Sequence, residues 1–427
     1  MKRVLFLPGY MGGGFGHISR CLTLGKVLRD NGVEVAFVVA GKHRSPLKEA
    51  GFSIYVPHFP ARPRSDSAFQ PAYLYITDAS YQVLRDGFTS FWRLKAAVFE
   101  LRNIVQRFRP NVLVGDLSLL TGIIGKHLNI PVVQIIRSGM HPIAPRLVWW
   151  ESPPPEIRPP RVLSMFNRLL SKWKLPELQT PEDLFRGDLY LIPGIPEIEP
   201  LSPLPPNTYY VGPLWENTST ETLERPPEFG EPGEPVLYMT IGGGASPVGN
   251  VRFFQFLEEV VARLPFRTVI STGKKVGAES LPPSSERVNW VSWIPGDAAI
   301  FHSELVFFHG GYGTTMEVVR AGKPSVIFPF HTEQESNGRR LVQQGAAKVV
   351  IPENRKKHLQ YMERRWKGGR FSLAYQSEFQ VSAKQVAETI LDVYSQARYR
   401  EGAARLRKIV KQYPGVEGAI DFIEKLW

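Results

Sequence analysis

The stretch FFHGGYGTTMEVVRAGKP, residues 307 to 324, combines residue types that suit an anionic ligand. An apolar run ends at His309, and the glycines that follow allow the backbone to approach a ligand closely. A helix that begins near Thr314 would present unpaired backbone N–H groups and the positive end of its dipole. The pattern predicts an anion site suited to a diphosphate, at which His309 could donate a hydrogen bond or a proton.

Thr314 and Glu317 have a second interpretation. The pattern T-x-x-E is a capping box, in which the two side chains satisfy N–H groups of their own helix. Thr332 and Glu335 repeat the same spacing. Capping and ligand binding could coexist at Glu317, so both roles stay open.

A second glycine loop, GGGFGHIS at residues 12 to 19, follows the first predicted strand. Its glycine spacing departs from the G-x-G-x-x-G of dinucleotide-binding loops. The second strand, in VEVAFVVAGKHR, ends without the acidic residue that would hold a ribose. Lys42 and Arg44 could still suit a 2′-phosphate, which leaves a reductase as a weak alternative.

His17, at the end of this loop, suits a general base, because an unperturbed imidazole titrates near neutral pH. Asp116 ends another predicted strand, VLVG, and could orient the ring of His17. A histidine that only caps its helix is the alternative. No activated Ser or Cys accompanies the pair, which argues against a hydrolase of the catalytic-triad type.

These residues need a framework, and apolar β-branched runs that alternate with amphipathic helical patterns predict βαβ units. The fold class is α/β, with two parallel-sheet domains. Ligands in such sheets bind beyond the carboxyl ends of the strands. Polar residues at these ends include His17, Asp116, Thr240 to Gly244, Thr272, Gly273, His309, Glu333 and Gln334.

The predicted domain organisation follows from a polar, Pro- and Glu-rich stretch. Residues 1–212 form an N-terminal domain, 213–235 the linker and 236–413 a C-terminal domain. Residues 414–427 form a C-terminal helix that packs back on the N-terminal domain. The long irregular segment from about 142 to 206 predicts a functional loop.

Composition narrows the class further. The chain has 427 residues, 43% of them hydrophobic and 22% charged, as in ordinary globular proteins. No apolar stretch is long enough to span a membrane, and Cys21 is the sole cysteine, so we expect a cytoplasmic protein. The net charge is +12, but no nucleic-acid-binding signature accompanies it. The denser basic patch at 354–371 is either a solvated face or a functional patch.

The stretch 308 to 347, together with WVSWIPGDAAIFH at 290 to 302, resembles the donor-binding signature of the UDP-glycosyltransferase superfamily. The resemblance extends over most of the chain, to GHISRCLTLGKVLRDNG near the start, PNVLVGDLSLLTGIIGKHLNIPVV with its aspartate, NTYYVGPL before the linker and the C-terminal segment from 399. It implies the GT-B fold, in which two Rossmann-like domains face a central cleft. Residues 1–212 would then be the acceptor-binding domain and residues 236–413 the nucleotide-sugar donor-binding domain.

The resemblance also implies residue roles. Trp293 would stack on the nucleotide base, and the Ile294 backbone would read its edge; a core tryptophan is the alternative. The implied diphosphate ligands are Gly242, Gly243, His309, Gly311, Gly313 and Thr314. Glu317 would bind the ribose hydroxyls, Glu333 and Gln334 the sugar hydroxyls, while His17 would be the base and Asp116 its partner.

Three features depart from the family pattern. Gly242, Gly243 and Gly244 stand where many members have Gly-Ser, so backbone replaces a hydroxyl at the phosphate. Glu333 stands where bacterial relatives often have Asp, which leaves the sugar open. Residues 353 to 377 are longer and more basic than is usual.

The mechanism that we expect is an inverting transfer of a sugar from a UDP-sugar or dTDP-sugar, without a cofactor. No Asp-x-Asp or HExxH motif occurs, so we expect no metal requirement. A nucleotide-sugar hydrolase, which GHISRCL also resembles, and a non-catalytic helper stay open. His17 with Asp116 weighs against the helper, and the aromatic 142–175 segment weighs against water as sole acceptor.

The acceptor is predicted with less detail. Trp149, Trp150, Met165 and Phe166 favour an apolar or aromatic small molecule or a lipid, although these side chains could also pack against their own domain. The same aromatic and basic composition is compatible with peripheral contact at the inner membrane face. Nucleic acid is not an expected partner.

Overall fold

The computed structural model describes residues 1–9, 15–40, 44–58, 69, 71–143, 153–215, 223–242, 251–273, 282–352 and 355–427. Two parallel sheets dominate these residues, one in each half of the chain. The predicted α/β class, with two Rossmann-like domains, is confirmed.

The N-terminal sheet has seven parallel strands in the order β3-β2-β1-β5-β6-β7-β8. Helices flank the sheet, so its central strands are buried and read as continuous apolar runs. The strands are β1 (Arg3–Pro8), β2 (Glu34–Val38), β3 (Ser53–Tyr55), β4 (Tyr73–Tyr75, part of another sheet), β5 (Val112–Asp116), β6 (Val132–Ile135), β7 (Leu189–Ile192) and β8 (Thr208–Tyr210). The helices are α1 (Phe15–Asp30), α2 (Ser45–Glu49), α3 (Ser80–Arg85), α4 (Phe91–Phe108), α5 (Thr121–Leu128) and α6 (Leu163–Lys172).

The C-terminal sheet has six parallel strands in the order β11-β10-β9-β12-β13-β14. Its strands are β9 (Val236–Thr240), β10 (Arg267–Ser271), β11 (Val288–Val291), β12 (Leu305–Phe308), β13 (Ser325–Ile327) and β14 (Ala347–Val349). Its helices are α7 (Val251–Val261), α8 (Gly296–His302), α9 (Tyr312–Ala321), α10 (Thr332–Gln343), α11 (Ala383–Ser395) and α12 (Ala397–Val410).

A third, antiparallel sheet joins the two halves of the molecule. The hairpin of β15 (Gln360–Trp366) and β16 (Gly369–Gln376) pairs through β16 with β4 of the N-terminal half. The long basic segment therefore contributes main-chain hydrogen bonds between the domains. Its tip residue Trp366 is half-buried against the N-terminal core.

The two connections between domains also pack against them. Helix α13 (Gly415–Glu424) contacts α1, and its Ile420 and Ile423 are buried in an N-terminal core cluster. At the other connection, Pro227–Phe229 forms a 3-10 turn whose Phe229 is fully buried in the C-terminal core. Within the described ranges, no helix is both long enough and apolar enough to cross a membrane.

Candidate active site at the domain interface

His17 and Asp116 come together at the carboxyl edge of the N-terminal sheet. His17 lies in the first turn of α1, and Asp116 is the last residue of β5. The Nδ1 atom of His17 is 2.8 Å from Oδ1 of Asp116. Asp116 is fully buried, whereas the His17 side chain is 24% exposed. The contact through Nδ1 leaves Nε2 as the nitrogen that could exchange a proton with a ligand.

Arg20 completes this cluster and was not predicted. It lies one turn after His17 on α1, and its guanidinium donates to both oxygens of Asp116, at 2.9 and 2.8 Å. Burial alone would raise the pKa of Asp116, but Arg20 and then His17 outweigh it and hold the pKa below its usual range. The carboxylate therefore stays ionised and fixed. The i, i+3 spacing of His17 and Arg20 was the available sequence signal.

The C-terminal half supplies a glycine-lined turn around His309, which directly follows β12. A Cβ atom added at Gly242 would lie 2.7 Å from Cε1 of His309, and one added at Gly311 would lie 2.2 Å from its Nε2. Gly242 also has φ +65°, in the region that favours glycine. The imidazole thus packs against bare backbone on two sides, and a side chain at either position would displace it.

Helix α9 begins at Tyr312, two residues before the predicted start. Gly311 is its N-cap residue and provides no side-chain cap, and Thr314 lies in the first turn. The capping-box interpretation of Thr314 and Glu317 is therefore wrong, because Thr314 is not at the N-cap position. The backbone N–H groups of this turn remain suited to an anion, as do the positions of Gly313 and Thr314.

The second proposed capping box, Thr332 with Glu335, is also wrong. Helix α10 has His331 at its N-cap, again without a side-chain cap. Thr332 instead exchanges hydrogen bonds with the backbone of Ile76, at 3.1 and 2.8 Å. Glu335 accepts hydrogen bonds from Arg339 and from Tyr73, which lies on β4. These polar residues connect the two domains.

Trp293 is 56% exposed, so the core-tryptophan alternative is wrong, whereas the adjacent Ile294 is buried in the C-terminal core. An exposed indole whose chain neighbour is anchored in the core is suited to stack on a nucleotide base.

Glu317, on α9, is half-buried. Burial, followed by the nearby charge of Asp297, raises its pKa to about 7. This carboxyl is therefore poised to accept or donate hydrogen bonds near neutral pH.

Glu333 and Gln334 occupy different environments at the start of α10. The side chain of Glu333 is 39% exposed and pairs with Arg137, at 2.7 Å. Gln334 is 5% exposed, and its Oε1 accepts a hydrogen bond from the backbone N–H of Phe330 at 2.8 Å. Glu333 faces outward more than Gln334 does.

The proposed acceptor residues divide into two groups. Trp149 and Trp150 lie outside the described residues, as does Gly243 of the donor set. Met165 and Phe166 lie on α6 and are 7% and 0% exposed, packed in the N-terminal core. Their placement contradicts an acceptor-binding role, because core packing leaves no surface for a ligand.

Tyr312, the first residue of α9, brings the two halves of the site together. Its hydroxyl donates to the backbone oxygen of Pro193 in the N-terminal domain, at 2.8 Å. The guanidinium of Arg137 lies over its ring, 3.7 Å from the centroid. These two contacts hold the N-terminus of α9 against the N-terminal domain, whose sheet edge carries the His17 cluster. The space between the two sheets at this interface is the interdomain cleft. No group of three or more metal-ligating side chains occurs in the described ranges.

Comparisons with known proteins agree with this arrangement. The family described as glycosyltransferase family 28 C-terminal domain matches residues 249–361. An uncharacterized glycosyltransferase of Methanosarcina mazei is 23% identical over 449 residues, covering 100% of this chain and 98% of the relative. The solved glycotransferase of kitacinnamycin superposes with a TM-score of 0.71 at 17% identity, covering 99% of this chain and 98% of that chain. The glycosyltransferase VinC, solved in complex with DTDP, gives a TM-score of 0.65 at 14% identity, with 99% of both chains covered.

The two Rossmann-like domains have the fold of GT-B glycosyltransferases. The matched domain and the relatives support a glycosyltransferase enzyme. Its sequence and fold resemble those of the UDP-glycosyltransferase superfamily, as the donor-binding signature predicts.

Proposed function

We propose that the protein transfers a sugar from a UDP-sugar or dTDP-sugar to a hydroxyl group of a small acceptor, with inversion at the anomeric carbon. The observation that carries this proposal is the contact of 2.8 Å between His17 and the buried Asp116, across the cleft from the N-terminus of α9. A base held by a carboxylate on one side and an anion site on the other suit a single displacement.

In the proposed step, the acceptor oxygen forms a bond to the anomeric carbon while the bond from that carbon to the diphosphate oxygen breaks. The acceptor proton passes to Nε2 of His17, and Asp116 stabilises the imidazolium. The electron pair of the broken bond leaves with the nucleoside diphosphate. Backbone N–H groups at the start of α9, with His309, stabilise this growing charge.

The donor would lie along the C-terminal half. Trp293 would stack on the base, Glu317 would bind the ribose, and Glu333, with Gln334, would contact the sugar. The outward position of Glu333 supports its role more strongly than the buried position of Gln334 supports that residue's role. A uracil or thymine base can stack on an indole equally well, so both nucleotides enter the test.

The acceptor proposal has narrower support. With Met165 and Phe166 in the core, an apolar or aromatic acceptor rests on the sequence WW at 149–150. Peripheral contact with a membrane, which would suit a lipid acceptor, rests on basic and aromatic composition alone.

The test is a donor screen in which released nucleoside diphosphate is measured with UDP-glucose, UDP-N-acetylglucosamine and dTDP-glucose. Each donor is tested with and without phenolic and lipid acceptors, and products are identified by mass. We expect acceptor-dependent release that His17→Ala abolishes. Release that is equally fast without any acceptor would indicate a hydrolase. A protein that neither releases nucleoside diphosphate nor binds nucleotide would be a non-catalytic helper.

Metal independence is part of the proposal, and it rests on the missing Asp-x-Asp motif. Transfer should keep its rate, within about twofold, in excess EDTA, because the α9 N-terminus and His309 supply the positive potential at the diphosphate. Loss of activity that magnesium or manganese restores would contradict this and reveal a metal requirement. Heat-treated protein serves as the blank for donor decay.

A further inference from the structure

Arg137 belongs to the N-terminal domain but binds two residues of the C-terminal domain. It lies two residues after the end of β6, at the strand edge that faces the cleft. Its Nη1 donates to Oε1 of Glu333 and its Nη2 to Oδ1 of Asn337, both at 2.7 Å. Both partners lie on α10, so one guanidinium spans the domain interface at the start of that helix.

The position of Arg137 is set from its own domain. Its guanidinium also pairs with Glu199, which is 1% exposed. The other carboxylate oxygen of Glu199 accepts hydrogen bonds from the N–H and the hydroxyl of Ser138, both at 2.7 Å. The flat face of the guanidinium lies against the ring of Tyr312. Arg137 is therefore held on three sides and presents its remaining N–H groups in fixed directions.

The two partners on α10 connect Arg137 to the donor half of the site. Asn337 is 1% exposed and donates from Nδ2 to the backbone oxygen of Gly310, at 2.7 Å, in the turn that leads into α9. Burial alone would raise the pKa of Glu333, but Arg137 outweighs it and lowers the pKa. One oxygen of the ionised Glu333 is fixed, while the side chain keeps 39% of its surface open.

We propose that Arg137 is a positioning residue for donor-sugar recognition, in that it fixes the carboxylate of Glu333 so that its open side accepts specific sugar hydroxyls. The inference rests on the proposed function of Glu333 as a sugar ligand. Because the guanidinium comes from the other domain, Glu333 acquires its sugar-reading orientation only when the two domains are in contact. Selectivity among donor sugars is thus a property of the domain interface.

A purely structural role predicts different behaviour. An ion pair that only held the domains together would affect unfolding and would leave the relative affinities for two sugars unchanged. A positioning role predicts that the sugar contributes less binding free energy once Arg137 is lost, while the nucleotide, held by Trp293 and α9, contributes as before. The separation of sugar binding from nucleotide binding therefore distinguishes the two.

The experiment compares wild type, Arg137→Met and Arg137→Lys by calorimetry with UDP, UDP-glucose and UDP-galactose, or with the dTDP analogues if the wild type prefers them. Arg137→Met should bind the free nucleoside diphosphate, UDP or dTDP, within about twofold of wild type. Its affinity for the preferred nucleotide sugar should fall about tenfold. The ratio of kcat/KM between the two epimeric donors should fall toward one. Arg137→Lys should recover only part of the loss, because an ammonium cannot hold Glu333 and Asn337 in the same bidentate geometry.

Arg339→Met is the matched control, because Arg339 lies on the same helix and pairs with Glu335 at 2.8 Å. It should lower the melting temperature without changing the epimer ratio. All titrations are run well below the melting temperature of the least stable variant. Unchanged sugar affinity and an unchanged epimer ratio in Arg137→Met, or tighter donor binding, would overturn the inference. The proposed function fails separately, if the wild type shows no acceptor-dependent release of nucleoside diphosphate in the donor screen.

Discussion

The two halves of the cleft differ in how far the protein itself satisfies their polar groups. In the N-terminal half, Asp116 is fully buried and accepts hydrogen bonds from Arg20 and a contact from His17. In the C-terminal half, Trp293 is 56% exposed and α9 begins without a side-chain cap. One half is preorganised before any ligand arrives, and the other has open groups that a ligand would cover.

This difference suggests a division between chemistry and binding. Groups that stabilise developing charge are most effective when they need no reorganisation during the reaction, which suits the His17 cluster. Exposed stacking faces and helix N-termini contribute favourable binding free energy when a ligand replaces water. They do so in the ground state as well as in the transition state. Changes in the N-terminal half should therefore lower kcat, and most changes in the C-terminal half should raise the donor KM.

The largest expected effect is that of His17→Ala. Removal of a general base costs about 100-fold to 10,000-fold, so kcat should fall by that range while calorimetric UDP affinity stays within about twofold. His127→Ala is the control, because His127 lies on α5, where its ring stacks on Trp173. Wild-type turnover in His17→Ala would show that His17 is not the general base. The proposed division between chemistry in the N-terminal half and binding in the C-terminal half would then be wrong.

Trp293→Ala should give the intermediate effect, on binding. Stacking of a base contributes about 1 to 3 kcal/mol, so free UDP should bind about 5-fold to 150-fold more weakly. The donor KM should rise with kcat largely kept, because stacking is equal in the ground and transition states. Trp92→Ala, which removes a 68% exposed tryptophan on α4, controls for the loss of a surface indole. A folded Trp293→Ala variant with unchanged UDP affinity would show that the base binds elsewhere.

Hydrophobic periodicity in the sequence predicts the two parallel sheets. The rule that ligands bind beyond the carboxyl ends of parallel strands predicts that His17 and Asp116 lie close together. The same rule could have found Arg137, because it directly follows the predicted strand PVVQII at 131–136. It was missed because its role depends on Glu333, in another domain and far along the chain. Pairing between such distant residues has no local sequence signal.

The β15–β16 hairpin and helix α6 show two other limits of prediction from sequence. Strand β4 has three residues, too few for a periodicity, and its partner β16 lies in the other half of the chain. On α6, by contrast, the signal was present: Met165, Phe166, Leu169 and Leu170 recur at helical spacing and are all buried. That pattern predicts one packed face, and the period of the helix, rather than the aromatic composition of the segment, decides where these side chains lie.

The smallest expected effect concerns Glu317, the one candidate group of the donor half whose pKa is raised to about 7. Its ordinary value is 4.5, so the unfolded chain ionises at a lower pH than the folded protein does. The contribution of this group to the free energy of unfolding is fully present below about pH 4.5 and is lost as the pH rises through 7. Glu317→Gln keeps the neutral form at every pH. The variant should therefore melt about 2 to 4 °C above wild type at pH 8, and the difference should shrink toward zero near pH 5.

Thermal melts from pH 5 to pH 8.5 measure this difference, with the exposed Glu231→Gln as a control that should follow wild type. A constant difference across the range would mean that Glu317 stays ionised and already has a partner, which would make the donor half as preorganised as the His17 cluster. A difference that appears only above pH 5 would mean that the free protein holds a strained, half-buried carboxyl. The ribose hydroxyls of a bound nucleotide could relieve that strain by donating hydrogen bonds to the ionised form, so bound UDP should reduce the difference at pH 8. That reduction would tie Glu317 to the nucleotide and leave His17, Asp116 and Arg20 as the part of the site that needs no ligand to be complete.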